Sequence, residues 1–462
     1  MSLKNSIKNL NSVIKSHNVL TSEEECYCYA QDSANTRKKT EVPHAVVFVE
    51  TIEDIQSLLR YANKNKLSVV SRGAGTNMVG ACTCCDNSIV MNFSKMNKIL
   101  DFDPVNMTMR VQPGVVINDI KKLAESEGLY FPPDPSNFKV STIGGGIAQA
   151  SGGAKSFRYG TIKDYILGLT LVMADGTVMK TGASTVKDAV GYHLNQLIVG
   201  SEGTLAIVAE AELKLIPKPE TSVLITAYFD SMEDAVFGVN SIIKKRIFPS
   251  TIDFMDRNAI NTVENFCPSG LIRDKECMLL IEVEDFVCGI KNLADMVEKS
   301  LNKAGASSIV AVYDEVLKEK IWTARRASYA AVTQLAPDVV TDDIIVPRTS
   351  LAKMLLESKK ICDKYNLKTC FVGHVGDGNI HPQIALNLDD DNEFKNYMNA
   401  KSEMYAIAHK LGGTISAEHG IGIEKIDYVK NVLDECAIEY MRRIKKTFDP
   451  NNILNPGKIF RV

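Results

Sequence analysis

Seven histidines occur in 462 residues, and three of them fall into two short motifs late in the chain, GHVGDGNIH and SAEHGIG. In the first, Asp377-Gly378 reads as a two-residue hairpin turn. Counting outward, Gly376 opposes Asn379, Val375 opposes Ile380 and His374 opposes His381. Directly opposed residues on one face of a hairpin have Cβ atoms about 4.5–5.5 Å apart, so two imidazoles there can share one ion at about 2.1 Å each. In the second motif Glu418 adds a carboxylate and His419 stands beside it. Adjacent side chains diverge on a strand, so one can face an ion while the other faces a substrate. Two histidines and a carboxylate with open positions suit Zn²⁺, Fe²⁺ or Mn²⁺, without choosing among them. A single histidine is more simply a hydrogen-bonded structural residue, and His17, His44, His193 and the mid-helix His409 are read that way. In IWTARRAS, Arg325 follows the only tryptophan. Its planar fork suits a carboxylate, while Arg326 points elsewhere on a helix; a solvated face is the alternative.

The second chemical signal is glycine. STIGGGIAQASGGAKSFRYG, residues 141–160, holds six glycines, and SRGAGTNMVG, residues 71–80, follows a predicted strand. Without a Cβ, glycine lets backbone amides approach a ligand and tolerates positive φ, and successive amides in turns form concavities for phosphate oxygens. The P-loop spacing fails for want of a Gly-Lys pair. The dinucleotide-fold spacing fails because Gln149 stands where a third glycine belongs. No helical pattern follows residues 71–80, so a helix dipole is not implied there. Two glycine beds far apart in sequence suit a long dinucleotide cofactor better than a lone phosphate.

Composition narrows the classes further. A hydrophobic content of 45% with 24% charged residues is that of an ordinary globular protein. A formal charge of −3 leaves no nucleic-acid footprint, and no apolar run approaches the ~20 residues of a bilayer span. Eleven scattered cysteines indicate a reducing, cytoplasmic setting with free thiols. The cluster Cys82, Cys84 and Cys85 lacks the Cys-x-x-Cys repeats of an iron–sulfur site and reads as small buried hydrophobes. Leu3, Ile7, Leu10 and Ile14 recur at helical spacing, as if packing on the body.

The elements that must position these residues follow in order. Residues 45–50 read as a strand. A helix then starts at Thr51, with Asp54 completing a capping box and Ile55, Leu58, Leu59 and Ala62 forming its apolar stripe. Strands are predicted at 67–70, 88–93, 108–112 and 167–173, the last ending at the Asp175-Gly176 turn, with a helix over 117–127. From Thr221, strands at 223–229, 278–283 and 308–313 alternate with helices near Ser231 and Val287. A helix from Thr349, strands near Cys370 and Asn379, and a long helix over 392–411 follow. This alternation predicts a second α+β domain on an antiparallel sheet.

Taken together, SRGAGT, the PDPS turn, TIGGG, RYG, GSEGTL, GHVGDGNIH, AEHGIG and LNPGKI resemble the FAD-linked 2-hydroxyacid dehydrogenases. These comprise D-lactate dehydrogenases and the FAD subunit of glycolate oxidase, of the vanillyl-alcohol-oxidase fold. The chain also resembles lactate dehydrogenases that work with an electron-transferring flavoprotein. The resemblance implies an α+β protein with a two-part FAD-binding domain and an inserted cap: residues 1–218, then 219–411, then a C-terminal segment 412–462 returning to the first. It implies that Ser71, Arg72, Gly73, Ala74, Gly75, Thr76, Asn77 and Gly80 hold the FAD pyrophosphate. Pro133, Asp134, Thr142, Gly144, Gly145, Ser151 and Gly152 would line the flavin, with Glu202, Gly203 and Ile207 nearer the adenine half and Asn455 at the isoalloxazine edge. The first glycine loop lacks the histidine that covalent members carry, so a dissociable flavin is expected. By the same carry-over, His374, His381 and Glu418 bind one divalent metal (Fe, Zn or Mn), Arg325 clamps the substrate carboxylate and His419 is the base. Asn379 and Gln383 would orient substrate or ligands. The implied activity is oxidation of a D-2-hydroxy acid, foremost D-lactate, to the 2-oxo acid by hydride transfer to flavin N5. A soluble protein acceptor such as electron-transferring flavoprotein would take the electrons. Glycolate and D-2-hydroxyglutarate are the alternative substrates, with quinone or a cytochrome as the alternative acceptor. The chain departs from the family at IAQASGG and at ACTCC.

Overall fold

The computed structural model describes residues 10, 13, 14, 18–38 and 40–461; Leu3, Ile7 and His17 lie outside them. Leu10 and Ile14 are buried in the core of the first unit. The chain divides into two compact units, one of residues 1–151, 161–218 and 418–462, the other of 152–160 and 219–417. Residues 412–417, assigned from sequence to the C-terminal segment, pack with the second unit, as do 152–160.

The first unit begins with strands β1 (Val19–Leu20), β2 (Ala45–Phe48), β3 (Ser68–Arg72) and β4 (Ser88–Asn92), in sheet order β1-β2-β4-β3. Helix α1 (Ile52–Asn65) starts at the capping box of Thr51 and Asp54 and buries the four stripe residues expected of it. Seven further strands follow: β5 (Ile99–Asp103), β6 (Thr108–Val111), β7 (Leu129–Tyr130), β8 (Ile166–Val172), β9 (Val178–Gly182), β10 (Ile207–Lys214) and β11 (Ile216–Pro217). Five of these form an antiparallel sheet in the order β5-β6-β10-β8-β9, and β7 pairs with β11. The strand β10 alternates buried and half-buried residues along its length, the period-2 pattern of a sheet with one face in the core.

Helix α2 (Ile117–Ser126) matches its sequence signal, but the main glycine stretch does not form the series of turns read from it. Residues Ile143–Gln149 make helix α3, capped by the Thr142 hydroxyl on the Gly145 amide. Three consecutive glycines are poor helix formers; packing overrides them here. A Cβ on Gly144 would sit 2.6 Å from Pro113 and one on Gly146 2.8 Å from Ile162, so glycine fits best at those two positions of the helix.

The second unit is built on antiparallel strands β12 (Thr221–Phe229), β13 (Thr251–Asp256), β14 (Cys277–Asp285), β15 (Ser308–Val312), β16 (Asp338–Thr341), β17 (Ile344–Ile345), β18 (Lys368–Gly373) and β19 (Asn379–Leu386). Their order is β15-β12-β14-β13-β18-β19-β16, with β17 also on β19. The antiparallel α+β character is as predicted. Missed were β13 and helix α4 (Arg257–Phe266), together with β16 and β17. The strand β13 is buried at every position and shows no alternation for a sequence pattern to catch. Helix α5 (Glu315–Arg326) carries Trp322 and Arg325, and α6 (Asp391–Lys410) stops before Gly412 at φ +82°.

Candidate active site

The histidine hairpin forms, in a different register. His381 of β19 lies opposite Val372, not His374. A two-residue turn of the required type needs positive φ at both central residues; Gly378 adopts +87°, and Asp377 has no positive φ. The chain instead makes a longer loop in which the amides of Asp377 and Asn379 both donate to the His374 carbonyl, at 2.9 and 3.2 Å. The two imidazoles nonetheless meet edge to face with ring centroids 5.3 Å apart.

What aims His374 is a carboxylate that sequence reading overlooked. The imidazole Nδ1 lies 2.6 Å from Asp253 Oδ1, and Arg325 Nε lies 2.9 Å from Asp253 Oδ2. Asp253 is 1% exposed and Arg325 7%. Burial alone would push the Asp253 carboxyl up, but the charges of His374 and Arg325 outweigh it and hold the group below its ordinary value. An ionised carboxylate accepts, so Nδ1 of His374 carries a proton, and when Nε2 gives up its own the ring becomes the tautomer of a metal ligand backed by a carboxylate. The Nε–H of Arg325 makes no directed hydrogen bond, so charge holds that pair. The guanidinium also donates through Nη1 to Ser328 Oγ, 3.4 Å away, where Gln383 Nε2 converges at 3.4 Å. Gln383 Oε1 has no hydrogen-bond partner among the described residues.

His381 is 4% exposed. Its Nδ1 lies 3.4 Å from the Asp342 carbonyl and 3.7 Å from Asp343 Oδ1. Asp343, fully buried and also overlooked, accepts from Asn379 Nδ2 at 2.9 Å, from Ser416 Oγ at 3.0 Å and from the Ala417 amide at 2.7 Å. Asn379 Nδ2 thereby donates to both Asp343 and the Ile344 carbonyl. The doublet Asp342-Asp343 and the lone Asp253 between Ile252 and Phe254 were the available signals: carboxylates inside apolar runs.

In the first unit, residues 418–422 make a turn with Gly420 at φ +85° and Gly422 at +51°. His419 offers its carbonyl to Asn77 Nδ2 at 3.0 Å, and its Nε2 is 4.0 Å from Glu418 Oε1. Asn77 Oδ1 in turn accepts the amides of Val79 and Ala81. Glu202, expected near a nucleotide, spends its carboxylate on the amides of Ile421 and Gly422, at 2.7 and 2.9 Å. Burial pushes that carboxyl up to about 7, against the pull of both amides, Lys458 and Lys425.

The glycine segments converge within this unit. A Cβ on Gly73 would fall 2.2 Å from Thr142 Oγ1, and one on Gly203 (φ +70°) 2.4 Å from Ser71 Oγ. Such close backbone approach is the reason for the glycines. Four buried oxygens lining these segments, on Ser141, Gln149, Ser151 and Asn455, have no protein hydrogen-bond partner among the described residues, which fits a polar cofactor with many acceptors and donors. Two of the expected side chains have protein partners: Arg72 donates to the Gln31 carbonyl and covers the Tyr29 ring, and Asp134 is paired with Lys121 at 2.8 Å. Gly75 and Gly80 take positive φ, Pro133 and Ile207 are buried, and Gly152 groups with the second unit. All eleven cysteines are free. Burial pushes the thiols of Cys82 and Cys84 up to about 12, which makes them packing residues.

Residues 43–182 match the family model described as FAD binding domain, and 218–459 that of FAD linked oxidases, C-terminal domain. The glycolate oxidase subunit GlcD of Bacillus subtilis is 37% identical over 94% of this chain and 92% of its own. The D-lactate dehydrogenase of Anaerostipes hadrus is 33% identical over 90% of this chain and 89% of its own. The D-2-hydroxyglutarate dehydrogenase of Stutzerimonas stutzeri is 30% identical over 98% of each. Among solved structures, p-cresol methylhydroxylase superposes with a TM-score of 0.82 at 16% identity, covering 98% of this chain and 96% of that one. That likeness shows the fold, the vanillyl-alcohol-oxidase type expected from the motifs.

Proposed function

This chain belongs to the family of FAD-linked 2-hydroxyacid dehydrogenases and glycolate oxidases, and we propose that it oxidises a small D-2-hydroxy acid, D-lactate foremost, to the 2-oxo acid. The observation that carries the reading is a pair of imidazoles 5.3 Å apart, His381 buried and His374 half-buried, beside a buried arginine held by the same carboxylate that orients one of them.

The residues proposed to hold non-covalent FAD are Ser71, Gly73, Ala74, Gly75, Thr76, Asn77, Gly80, Thr142, Gly144, Gly145, Ser151, Gly203 and Asn455. Those proposed for one divalent ion (Fe, Zn or Mn) are His374, His381 and Glu418. When bound, FAD supplies the acceptor for the hydride leaving C2, and the ion a Lewis acid for the hydroxyl oxygen. Arg325 meets the substrate carboxylate with its guanidinium, a charge-assisted contact that fixes which face of C2 is presented. Asp253 prevents that guanidinium from swinging and keeps His374 in one tautomer. His419 takes the hydroxyl proton, a contribution of about 10²–10⁴ in rate for a positioned base. The acceptor proposed downstream is a protein such as electron-transferring flavoprotein. Among the described residues no helix is long and apolar enough to cross a membrane.

The likeness to a glycolate oxidase subunit and to a D-2-hydroxyglutarate dehydrogenase favours glycolate or D-2-hydroxyglutarate as the second reading. Anaerobic bleaching of the bound flavin separates them. D-lactate should bleach it fastest, L-lactate should leave it oxidised, and metal analysis of the same sample should find about one ion per chain. Bleaching by none of the 2-hydroxy acids would remove the assignment.

A further inference from the structure

The turn carrying His419 is tied beyond Gly420 by backbone bonds, the Ile423 and Glu424 amides donating to the Val79 carbonyl and the Ile459 amide to the Gly422 carbonyl, and side chains add to these. Two of its residues, Gly420 and Gly422, are in the left-handed region, and it belongs to no helix or strand. Two side chains of the same unit fasten it. Asn77 grips the near end at the His419 carbonyl, and Glu202 receives the consecutive amides of Ile421 and Gly422, one on each carboxylate oxygen. A Cβ on Gly420 would stand 2.7 Å from Glu202 Oε1 and 2.3 Å from Gln149 Oε1, so the turn lies directly against the carboxylate.

Glu202 is itself fixed. It has φ +51°, its amide donates to the Ala148 carbonyl at 2.8 Å, and its carbonyl accepts from Asn455 Nδ2 at 2.7 Å. The side chain is 4% exposed. A buried carboxylate is disfavoured unless well paired, and burial here outweighs the two amides, Lys458 and Lys425. Such a group weakens the fold, which marks a demand other than stability.

We propose that Glu202 is a positioning residue for His419, clamping the far end of its turn so that the imidazole is presented in one place. This rests on His419 being the base. The clamp needs a carboxylate: an amide offers one acceptor, and its NH₂ would face the second backbone N–H.

The test is E202Q, purified as the flavoprotein and assayed with D-lactate. We expect kcat to fall at least tenfold while the KM for D-lactate and the FAD Kd stay within threefold of wild type. In an H419A background, E202Q should lower kcat by less than twofold more, because nothing remains to be placed. A kcat within twofold of wild type, a parallel loss of FAD affinity, or losses that multiply in the double variant would each overturn the proposal. If E202Q does not accumulate folded, E202D, which keeps the charge but draws the carboxylate back from the Ile421 and Gly422 amides by one methylene, takes its place with the same cycle and the same overturning results. H419A alone, read first, separates the two levels: near-normal turnover there sinks the base assignment before Glu202 is touched.

Discussion

Replacing Asp253 by Asn removes one negative charge while keeping shape and one acceptor. The amide oxygen can still receive the His374 Nδ1 proton, but Arg325 is left 7% exposed with its counter-charge gone from 2.9 Å. Breaking a buried pair by removing one partner costs about 3–5 kcal/mol, whereas removing both charges is often close to neutral. D253N should therefore lower the stability of the second unit by about 3–5 kcal/mol. D253N/R325M should recover at least half of that, a coupling of about 2 kcal/mol or more. The only tryptophan, Trp322, is buried on the same helix as Arg325, so its fluorescence in a urea titration reports this unit. A loss below about 1 kcal/mol, or strictly additive losses in the double variant, would show that the carboxylate does not hold the guanidinium, and the account of how both site residues are aimed would fail.

Other outcomes follow from the same geometry. H381A should lose the bound ion, measured by elemental analysis after dialysis, with FAD absorbance retained; full metal content in H381A would refute the ligand set. G203A places a Cβ 2.4 Å from Ser71 Oγ on a left-handed residue and should weaken FAD binding at least tenfold by flavin fluorescence titration. In the apoprotein, Glu202 binds its proton more tightly folded than unfolded, being pushed up to about 7. Its contribution is present at low pH and is lost as pH rises from about 4.5 to about 7, by roughly 3 kcal/mol. E202Q should flatten that slope in urea midpoints taken across the window, and an unchanged slope would count against a buried, protonatable Glu202.

The sequence motifs located the chemistry better than they located its supports. The histidines, the arginine and the glycine segments are read from residue type and spacing, and so is the antiparallel second unit. The hairpin register was out of reach because one positive φ at Gly378, rather than two, decides the loop length, and only the packed loop settles it. Asp253 and Asp343 escaped because a carboxylate's partners lie far away in sequence: Arg325 and His374 for one, Asn379, Ser416 and Ala417 for the other. Helix α3 escaped because steric limits from Pro113 and Ile162 overrule the propensity of Gly144, Gly145 and Gly146.

Order of synthesis gives the C-terminal return a meaning of its own. Val69 of β3 donates to Ile453 and accepts from Asn455, and the ammonium of Lys445 binds the carbonyls of Thr204 and Leu454. Lys445 is made 241 residues after Thr204, and Ile453 and Asn455 later still after the strand they complete. A growing chain thus carries an unfinished nucleotide-binding half until the segment from Lys445 to Asn455 has been made. Truncation just before Asp449 should yield protein that never turns yellow.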